Sequence, residues 1–256
     1  MSLKDKLVSS HIVFQESLDP DSPIYDIRNE AIKHFEASGF PTKKDEAWKY
    51  TSLNTLTKQD YSLFPSGEGG LDYKEVKRFF LHSLDTYKIV FIDGIFSSHL
   101  SETTHAGIDV CTMRSALTKS KYKAVIDVYF NKIAPQESLT SLNTAFAKEG
   151  AYINIPKNKV ADKPIEIIHF STGTEAATML QPRNLVVVGE NSEVQIIERH
   201  QSLTKNPVLT NSVTEIHADK RANVDYYKIQ NDTQEASLVD NTYVDQYDDT
   251  LSLIHI

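Results

Sequence analysis

The sequence predicts a mostly β protein: a right-handed parallel β-helix, incomplete and limited to its first coils, preceded by an N-terminal helical and α/β region. Three similar segments support this prediction. They begin at Ile165, Val194 and Val224, so they are 29 and 30 residues apart (165 to 194 and 194 to 224). Each alternates apolar and polar residues as a half-buried strand does. A repeat of about 30 residues made of short strands is typical of a solenoid whose coils bury their apolar sides against each other.

The 256 residues divide into four predicted segments. We expect an N-terminal helical region over residues 1–66 and a mixed α/β region over residues 71–149. The first coils of the β-helix should occupy residues 150–250, and residues 251–256 are predicted to be a non-native tail. The glycine-rich connector between residues 65 and 70 marks the first boundary, because such a composition is typical of flexible linkers.

Two helices are predicted in the first 84 residues. The first should be capped by Asp21 or Ser22 and should end at Gly39, because apolar residues recur at helical spacing between these positions. The apolar pattern predicts a second helix over Leu71–Leu84.

A hairpin and a third helix are predicted before the repeat begins. Two β-type runs between residues 88 and 96 meet at Asp93-Gly94, a pair suited to a tight turn. Further along, apolar residues from Leu139 to Phe146 follow one helical face, and Gly150 ends that segment.

The repeat also predicts which side chains share a column, because residues one coil apart lie on adjacent rungs about 4.8 Å apart. The predicted interior columns are Ile165, Val194 and Val224, and Ile167, Ile196 and Tyr226; the predicted outward ladders are Glu166, Gln195 and Asp225, and His169, Glu198 and Lys228.

The ladder of His169, Glu198 and Lys228 has two interpretations. Imidazole and carboxylate groups brought together could bind a metal ion or transfer protons. The alternative is a solvated ladder of compatible charges, which we favour because no His-x-x-x-His pair or second carboxylate completes a ligand set. His200 and His217 are predicted to lie in turns or at the surface. The sequence therefore assigns no catalytic, cofactor-binding or metal-ligating residue.

Composition excludes several functions. The net charge is −8 and no dense basic stripe is present, so a nucleic-acid partner is not expected. No apolar run approaches the roughly 20 residues of a membrane-spanning helix, so no membrane association is expected. Cys111 is the only cysteine; we predict that it is a buried structural residue, and its isolation favours a cytoplasmic location.

Three segments in this order resemble the SufB/SufD family of iron–sulfur cluster scaffolds: Asp45–Thr51 (DEAWKYT), Phe91–Phe96 (FIDGIF) and Ser141–Gly150 (SLNTAFAKEG). The resemblance continues to about Thr250. Within the family the sequence is more similar to the SufD branch, because Glu198-Arg199-His200 stands where SufB members typically carry a cysteine.

The resemblance implies a cytoplasmic scaffold subunit of the SUF system that is not an enzyme and acts with SufB and the ATPase SufC. A transient iron–sulfur cluster is expected in the complete complex, and no cofactor is expected on this part alone. In SufD the histidine that faces the SufB cysteine lies in a later coil, and a C-terminal helical region binds SufC. No position of this sequence matches either, so neither role is transferred to a residue here.

Residues 251–256 (LSLIHI) resemble a translated sequencing adapter. We therefore expect a reading frame whose native sequence ends near Thr250, with a fourth coil cut short near Tyr243-Val244. An open apolar rung should promote aggregation, and a sharp unfolding transition from a soluble monomer would contradict this.

Two alternatives remain: the paralogous SufB subunit and a β-helical enzyme acting on acidic polysaccharides. The missing secretion signal and the lack of a basic, carboxylate-lined groove disfavour the enzyme.

Overall fold

The computed structural model describes residues 1–65, 70–103, 105, 107–173 and 177–255. The helices are α1 (Leu3–Glu16), α2 (Tyr25–Ser38), α3 (Tyr73–Val76), α4 (Met113–Thr118), α5 (Ser120–Tyr129) and α6 (Ser138–Ala145), with 3₁₀ turns at Glu46–Trp48, Leu56–Lys58 and Lys77–Phe79. The strands are β1 (Tyr87–Ile92), β2 (Ile95–Phe96), β3 (Asp109–Thr112), β4 (Ala151–Ile155), β5 (Ile165–Ser171), β6 (Thr178–Leu180), β7 (Arg183–Val188), β8 (Glu193–Ser202), β9 (Val208–Ala218), β10 (Asn223–Asn231), β11 (Ala236–Gln246) and β12 (Leu251–His255). Within these ranges, no helix has both the length and the apolar character needed to cross a membrane.

The strands form two sheets that alternate along the chain. Sheet 1 has the order β12-β10-β8-β5-β1-β2 and sheet 2 the order β11-β9-β7-β4-β3, with β6 beside β9. Successive coils pair in parallel, whereas β1–β2 and β3–β4 are antiparallel. The result is a parallel β-helix of about three turns behind a helical N-terminal region, as the sequence predicts.

The space between the facing sides of the two sheets, called the lumen below, holds the main hydrophobic core. Alternate residues of each strand point into it, because side chains of a strand alternate between its two faces. Buried aliphatic residues from both sheets fill one part, including Ile165 and Ile196 from sheet 1 and Val186 and Ile216 from sheet 2. Burial of these apolar side chains against neighbouring coils is the main source of cohesion between coils.

Helices and loops cover the outer faces of both sheets. Helices α4 and α5 pack against sheet 2, where Met113 and Ile126 contact the outward residues Leu185 and Val187. The segment around α3 covers sheet 1, where Val76 packs with the outward side of β5. The N-terminal half of the chain therefore shields the β-helix from solvent on two sides.

The predicted hairpin is confirmed. Strands β1 and β2 pair at Phe91–Phe96 and Ile92–Ile95, and both turn residues have positive φ, 47° at Asp93 and 78° at Gly94. An Asp-Gly pair suits such a turn because Asp tolerates the left-handed region and Gly enters it without steric cost.

Gly150 ends the segment before the repeat for a different reason. A Cβ atom built on this glycine would lie 2.0 Å from the carbonyl oxygen of Arg183, and its φ is 141°. The close approach brings the end of the α6 segment onto β7, so only glycine fits here.

The predicted interior columns are partly wrong in register. Val194 pairs with Val224 and Ile196 with Tyr226, as expected. Ile165, however, pairs with Ile196 rather than with Val194, so this coil spans 31 residues (165 to 196). The prediction missed this shift because a slip of two residues keeps every side chain on the same face and leaves the apolar pattern unchanged.

Two helix predictions need correction. Residues 71–84 form only the four-residue α3 and a 3₁₀ turn, because the chain must leave the helical direction early enough to place Phe80 against β5 and to enter β1 at Tyr87. Helix α2 starts later than expected, with Ile24 at the N-cap and no side-chain cap hydrogen bond, although it ends at Gly39 as predicted.

The fourth coil extends further than the sequence suggested. Strand β11 continues through Tyr243-Val244 and pairs with β9 over 11 residues. Residues 251–255 then form β12, which pairs in parallel with β10 so that Val224 lies opposite Ser252. The non-native origin of residues 251–256 stays a prediction from the sequence, and residue 256 itself lies outside the described residues.

Candidate functional site

One part of the lumen is polar rather than aliphatic. Five side chains from three adjacent strands of sheet 1 meet there, and we call them the lumen cluster: His169 on β5, Glu198 and His200 on β8, and Tyr226 and Lys228 on β10. All five are buried. They point inward because they continue the parity of the aliphatic positions that precede them on the same strands.

The Glu198 carboxylate stands at the centre of the lumen cluster and is completely buried. One oxygen, Oε1, accepts a hydrogen bond of 3.2 Å from the side-chain amide of Asn184 on β7. The other oxygen, Oε2, accepts a hydrogen bond from the Tyr226 hydroxyl and lies 3.3 Å from Lys228 Nζ. Because Asn184 belongs to sheet 2, Glu198 links the two sheets across the lumen.

The Lys228 ammonium is held between two carboxylates. Besides Glu198, it donates a hydrogen bond to Asp240 on β11, which belongs to the opposite sheet. Burial opposes a charge at Lys228, yet Glu198 and Asp240 outweigh burial and raise its pKa. The lysine therefore stays protonated, and its charge is balanced inside the lumen.

The two histidines stack on one another beside this ion pair. Their ring centroids are 4.8 Å apart with an angle of 13° between the rings, and Phe91 stacks on the other side of His169 at 5.1 Å. The Nε2 atom of His200 lies 3.2 Å from Glu198 Oε1, within hydrogen-bond distance. The Nε2 atom of His169 lies 3.5 Å from the same oxygen but has no hydrogen-bond partner among the described residues.

The protonation states follow from burial and charge. Burial lowers the pKa of His169, so its imidazole is neutral at pH 7. Burial alone would raise the pKa of Glu198, but the charge of Lys228 and the two nearby imidazoles hold it well below its usual range. The cluster thus presents an ionised carboxylate beside a neutral imidazole.

The structure corrects the interpretation of the ladder His169, Glu198 and Lys228. These three residues do come together, but they are buried in the lumen and do not form a solvated ladder. Their side chains point inward because Ile167, Ile196 and Tyr226, two residues earlier on each strand, also do. The same parity argument, applied along whole strands, would have placed them inside.

His200 and His217 were expected in turns or at the surface, and this is wrong for both. His200 is buried in β8, and His217 is buried in β9, on the outer side of sheet 2, where its Nε2 lies 3.0 Å from the carbonyl oxygen of Tyr129.

Cys111 is half-buried on β3, and burial raises the pKa of its thiol, which fits a structural residue.

Part of the predicted outward ladder is also buried. Glu166 does point out of sheet 1, but it is fully buried and contacts Thr86 and Arg199, each at 3.0 Å. Gln195 and Asp225 do lie on the outward ladder, Gln195 exposed and Asp225 half-buried, with a hydrogen bond of 3.2 Å between their side chains.

Sequence reasoning missed three members of the network: Asn184, Tyr226 as a hydrogen-bond donor, and Asp240. A signal existed for Asn184 and Asp240, since each shares the inward parity of aliphatic residues on its own strand, Val186 and Val244. Nothing in the sequence indicated that the Tyr226 hydroxyl would reach Glu198.

Within the described ranges, His169, Glu198 and His200 are the one group of three potential metal ligands whose donor atoms all lie within 4.8 Å of one another. Two imidazoles and a carboxylate form a donor set that suits zinc and ferrous iron. The Nε2 atoms of His169 and His200 lie 3.5 Å and 3.2 Å from the same carboxylate oxygen, Glu198 Oε1.

Family models match nearly the whole chain. Residues 11–167 match the SufBD protein N-terminal region, and residues 169–254 match the SufBD core domain of SUF system FeS cluster assembly. The division falls within β5, immediately before the first histidine of the lumen cluster.

Individual relatives agree with the family models. The chain is 27% identical to an iron–sulfur cluster assembly SufBD family protein of Synechocystis sp. over 88% of this chain and 51% of the relative. It is 24% identical to the iron–sulfur cluster assembly protein SufD of Escherichia coli, over 75% of this chain and 43% of the relative. A chloroplastic SufBD family protein of Arabidopsis thaliana is 25% identical over 72% of this chain and 32% of the relative. The chain spans about half or less of the length of these relatives, and it belongs to the SufBD family of SUF iron–sulfur cluster assembly proteins.

Proposed function

We propose that this chain is a SufD-type scaffold subunit, or part of one, that associates with a SufB-type subunit and works with the SufC ATPase in iron–sulfur cluster assembly. Its family supports an assembly role. The observation that favours the SufD branch is the segment Glu198-Arg199-His200, which stands where SufB members typically carry a cysteine; His200 is buried and faces inward.

The distribution of thiols supports the same assignment. Cys111 is the only cysteine of the chain and lies on β3, outside the lumen cluster. Burial raises the pKa of its thiol, which disfavours the thiolate that sulfur transfer needs. We therefore propose a subunit that positions and stabilises its partner, and that does not itself carry sulfur. The lone cysteine also favours a cytoplasmic location.

The architecture argues against an enzyme that acts on acidic polysaccharides. The outer faces of both sheets are packed under α3, α4 and α5, so much of the surface on which a polymer would lie is covered. The charged groups of the lumen cluster face inward and are out of reach of a polymer.

Co-purification tests the proposal. The chain would be tagged and co-expressed with the SufB-type and SufC-type proteins of the same genome, then captured and analysed by size-exclusion chromatography. We expect the SufB-type subunit to co-elute with the chain, and an unrelated β-helical protein with the same tag to capture neither. Recovery of neither protein from a folded chain would contradict the proposal.

A second experiment separates the SufD from the SufB assignment. The tagged chain would be offered a SufB-type and a SufD-type partner together, in equal amounts. A SufD-type subunit should select the SufB-type partner. Preferential capture of the SufD-type partner would place the chain on the SufB branch.

A further inference from the structure

The lumen cluster contains a buried polar atom whose bonding capacity is unused. The side chain of His169 is 7% exposed, and its Nε2 has no hydrogen-bond partner among the described residues. A buried imidazole nitrogen without a partner costs about 1–3 kcal/mol, so such an atom calls for an explanation. Nε2 points towards Glu198 Oε1, the same oxygen that His200 approaches.

The distances between these atoms match a common coordination geometry. Two ligands at about 2.0–2.1 Å from a tetrahedral metal ion lie about 3.3 Å apart. Nε2 of His169 and Nε2 of His200 lie 3.5 Å and 3.2 Å from Glu198 Oε1. Two of the three distances between donor atoms therefore match those of ligands bound to one ion, and all three donor atoms lie within 4.8 Å of one another.

The remaining groups leave this point open for a cation. Tyr226 and Lys228 occupy Glu198 Oε2, so Oε1 is the oxygen that faces the imidazoles. The charge of Lys228 is balanced by Asp240, which reduces its repulsion of a second cation. The Asn184 amide also contacts Oε1 and orients the carboxylate, as outer-shell partners do in metal sites.

We propose that His169, Glu198 and His200 bind one divalent first-row transition metal ion inside the β-helix. Three protein ligands leave at least one coordination position free for an exogenous ligand. This site would lie entirely within the present chain, so the proposal is independent of whether the chain binds a SufB-type partner.

Binding requires a defined local movement. The two rings are nearly parallel, at 13°, whereas an ion bound by both must lie in the plane of each ring. We therefore expect the imidazoles to rotate out of their stack when the ion enters. This change provides a signature that a merely structural role of the histidines would not produce.

A cobalt titration tests the site directly. The full chain would be stripped of metal with a chelator and titrated with Co²⁺, with visible absorption as the readout, followed by competition with Zn²⁺. We expect one equivalent to bind and Zn²⁺ to displace it. Glu198→Gln and His169→Gln should weaken binding at least about tenfold, because each removes one of three ligands. The matched control His217→Gln, on the outer side of sheet 2, should bind as the unmodified chain does.

A second measurement keeps the test decisive if a variant fails to fold. In the unmodified chain with ¹⁵N-labelled histidines, Zn²⁺ should shift the ring nitrogen resonances of two histidines, and no others, at one equivalent. Variants would be compared only where their thermal unfolding remains cooperative. The proposal is overturned if the folded chain binds no Co²⁺, if folded Glu198→Gln binds it equally well, or if Zn²⁺ leaves His169 and His200 unshifted.

Discussion

Glu215 and Glu198 are both completely buried carboxylates paired with a buried cation, but one lies outside the β-helix and the other inside it. Glu215 projects from the outer side of sheet 2 towards Arg183, and its Oε2 lies 2.5 Å from Arg183 Nη2. Its two oxygens also accept hydrogen bonds from the backbone N–H groups of Asn131, Ile133 and Ala134, at 2.8–3.3 Å. This pair fastens the segment between α5 and α6 onto the sheet.

Glu198 has partners of a different kind. Its hydrogen bonds come from side chains, and the carboxylate lies between a lysine and two imidazoles, one of which has an unused nitrogen. Backbone donors are fixed by the fold, whereas these side chains could rearrange around a ligand. Both oxygens of Glu215 are thus engaged by the fold itself, although Arg183 Nε has no hydrogen-bond partner among the described residues. The inner cluster instead gathers side-chain donors that could serve as ligands.

The largest effect on stability is expected when the Glu215 charge is removed. Glu215→Gln should lower the free energy of unfolding by about 3–5 kcal/mol, because it leaves the Arg183 guanidinium buried without a carboxylate. Urea denaturation of the purified chain measures this. The double variant Arg183→Met with Glu215→Met should recover only part of the loss, because the backbone N–H groups of residues 131, 133 and 134 stay without their acceptor. A cost below about 1 kcal/mol for Glu215→Gln would show that the outer pair does not anchor the fold.

Another carboxylate, the partly buried Glu149, should show an effect of intermediate size that depends on pH. Burial raises its pKa to about 7, despite an ion pair with Arg114. The folded state therefore binds more protons than the unfolded state between about pH 4.5 and 7, and stability falls as pH rises through this range. Glu149→Gln should remove the penalty and gain up to about 3 kcal/mol at pH 8, with almost no change at pH 4.

Denaturation curves collected at several pH values check this prediction. The exposed residue Glu16 supplies the control, because Glu16→Gln should leave the pH dependence unchanged. A stability difference between Glu149→Gln and the unmodified chain that stays constant with pH would contradict the raised pKa.

These carboxylates also show how far the sequence predicts the molecule. The 30-residue repeat predicts the β-helix, because strand parity and coil length are local properties that periodicity records. It does not predict register: the coil from Ile165 to Ile196 is one residue longer than the coil from Val194 to Val224, and a shift of two residues preserves the apolar pattern. Nor does it show that Glu166 is buried, since its partners are Thr86, 80 positions earlier in the chain, and Arg199 on the next coil.

The sequence repeat also does not predict the environment of the lumen cluster. Its ladder of His169, Glu198 and Lys228 could be identified from the repeat, but a charged ladder was expected to face water. Burial of these charges depends on contacts with Asn184 and Asp240 of the opposite sheet. Strand parity indicates that these two residues face inward, but not that they meet the lumen cluster. Local patterns therefore identified the residues, and only the tertiary structure showed their environment.

The inner cluster should tolerate loss of its carboxylate better than the outer pair does. In metal-free protein, Glu198→Gln should lower the free energy of unfolding by about 2 kcal/mol. Lys228 keeps Asp240 as its counterion, and the amide of the new glutamine can still hydrogen-bond with Tyr226 and Asn184. Urea denaturation beside Glu215→Gln measures both. An equal or larger cost for Glu198→Gln would mean that the inner cluster is as essential to folding as the outer pair.

The smallest effect is expected on the outward ladder, where charge is exposed. Gln195 and Asp225 share one coil-to-coil hydrogen bond at the surface, and water can replace either partner when one is removed. Asp225→Asn should therefore change the free energy of unfolding by less than about 0.5 kcal/mol. Gln195 shares β8 with Glu198, and Asp225 shares β10 with Lys228. The two pairs therefore differ only in the face of the sheet from which their side chains project. A cost comparable with that of Glu198→Gln would show that position along the β-helix, and not burial in the lumen, determines how much a carboxylate contributes.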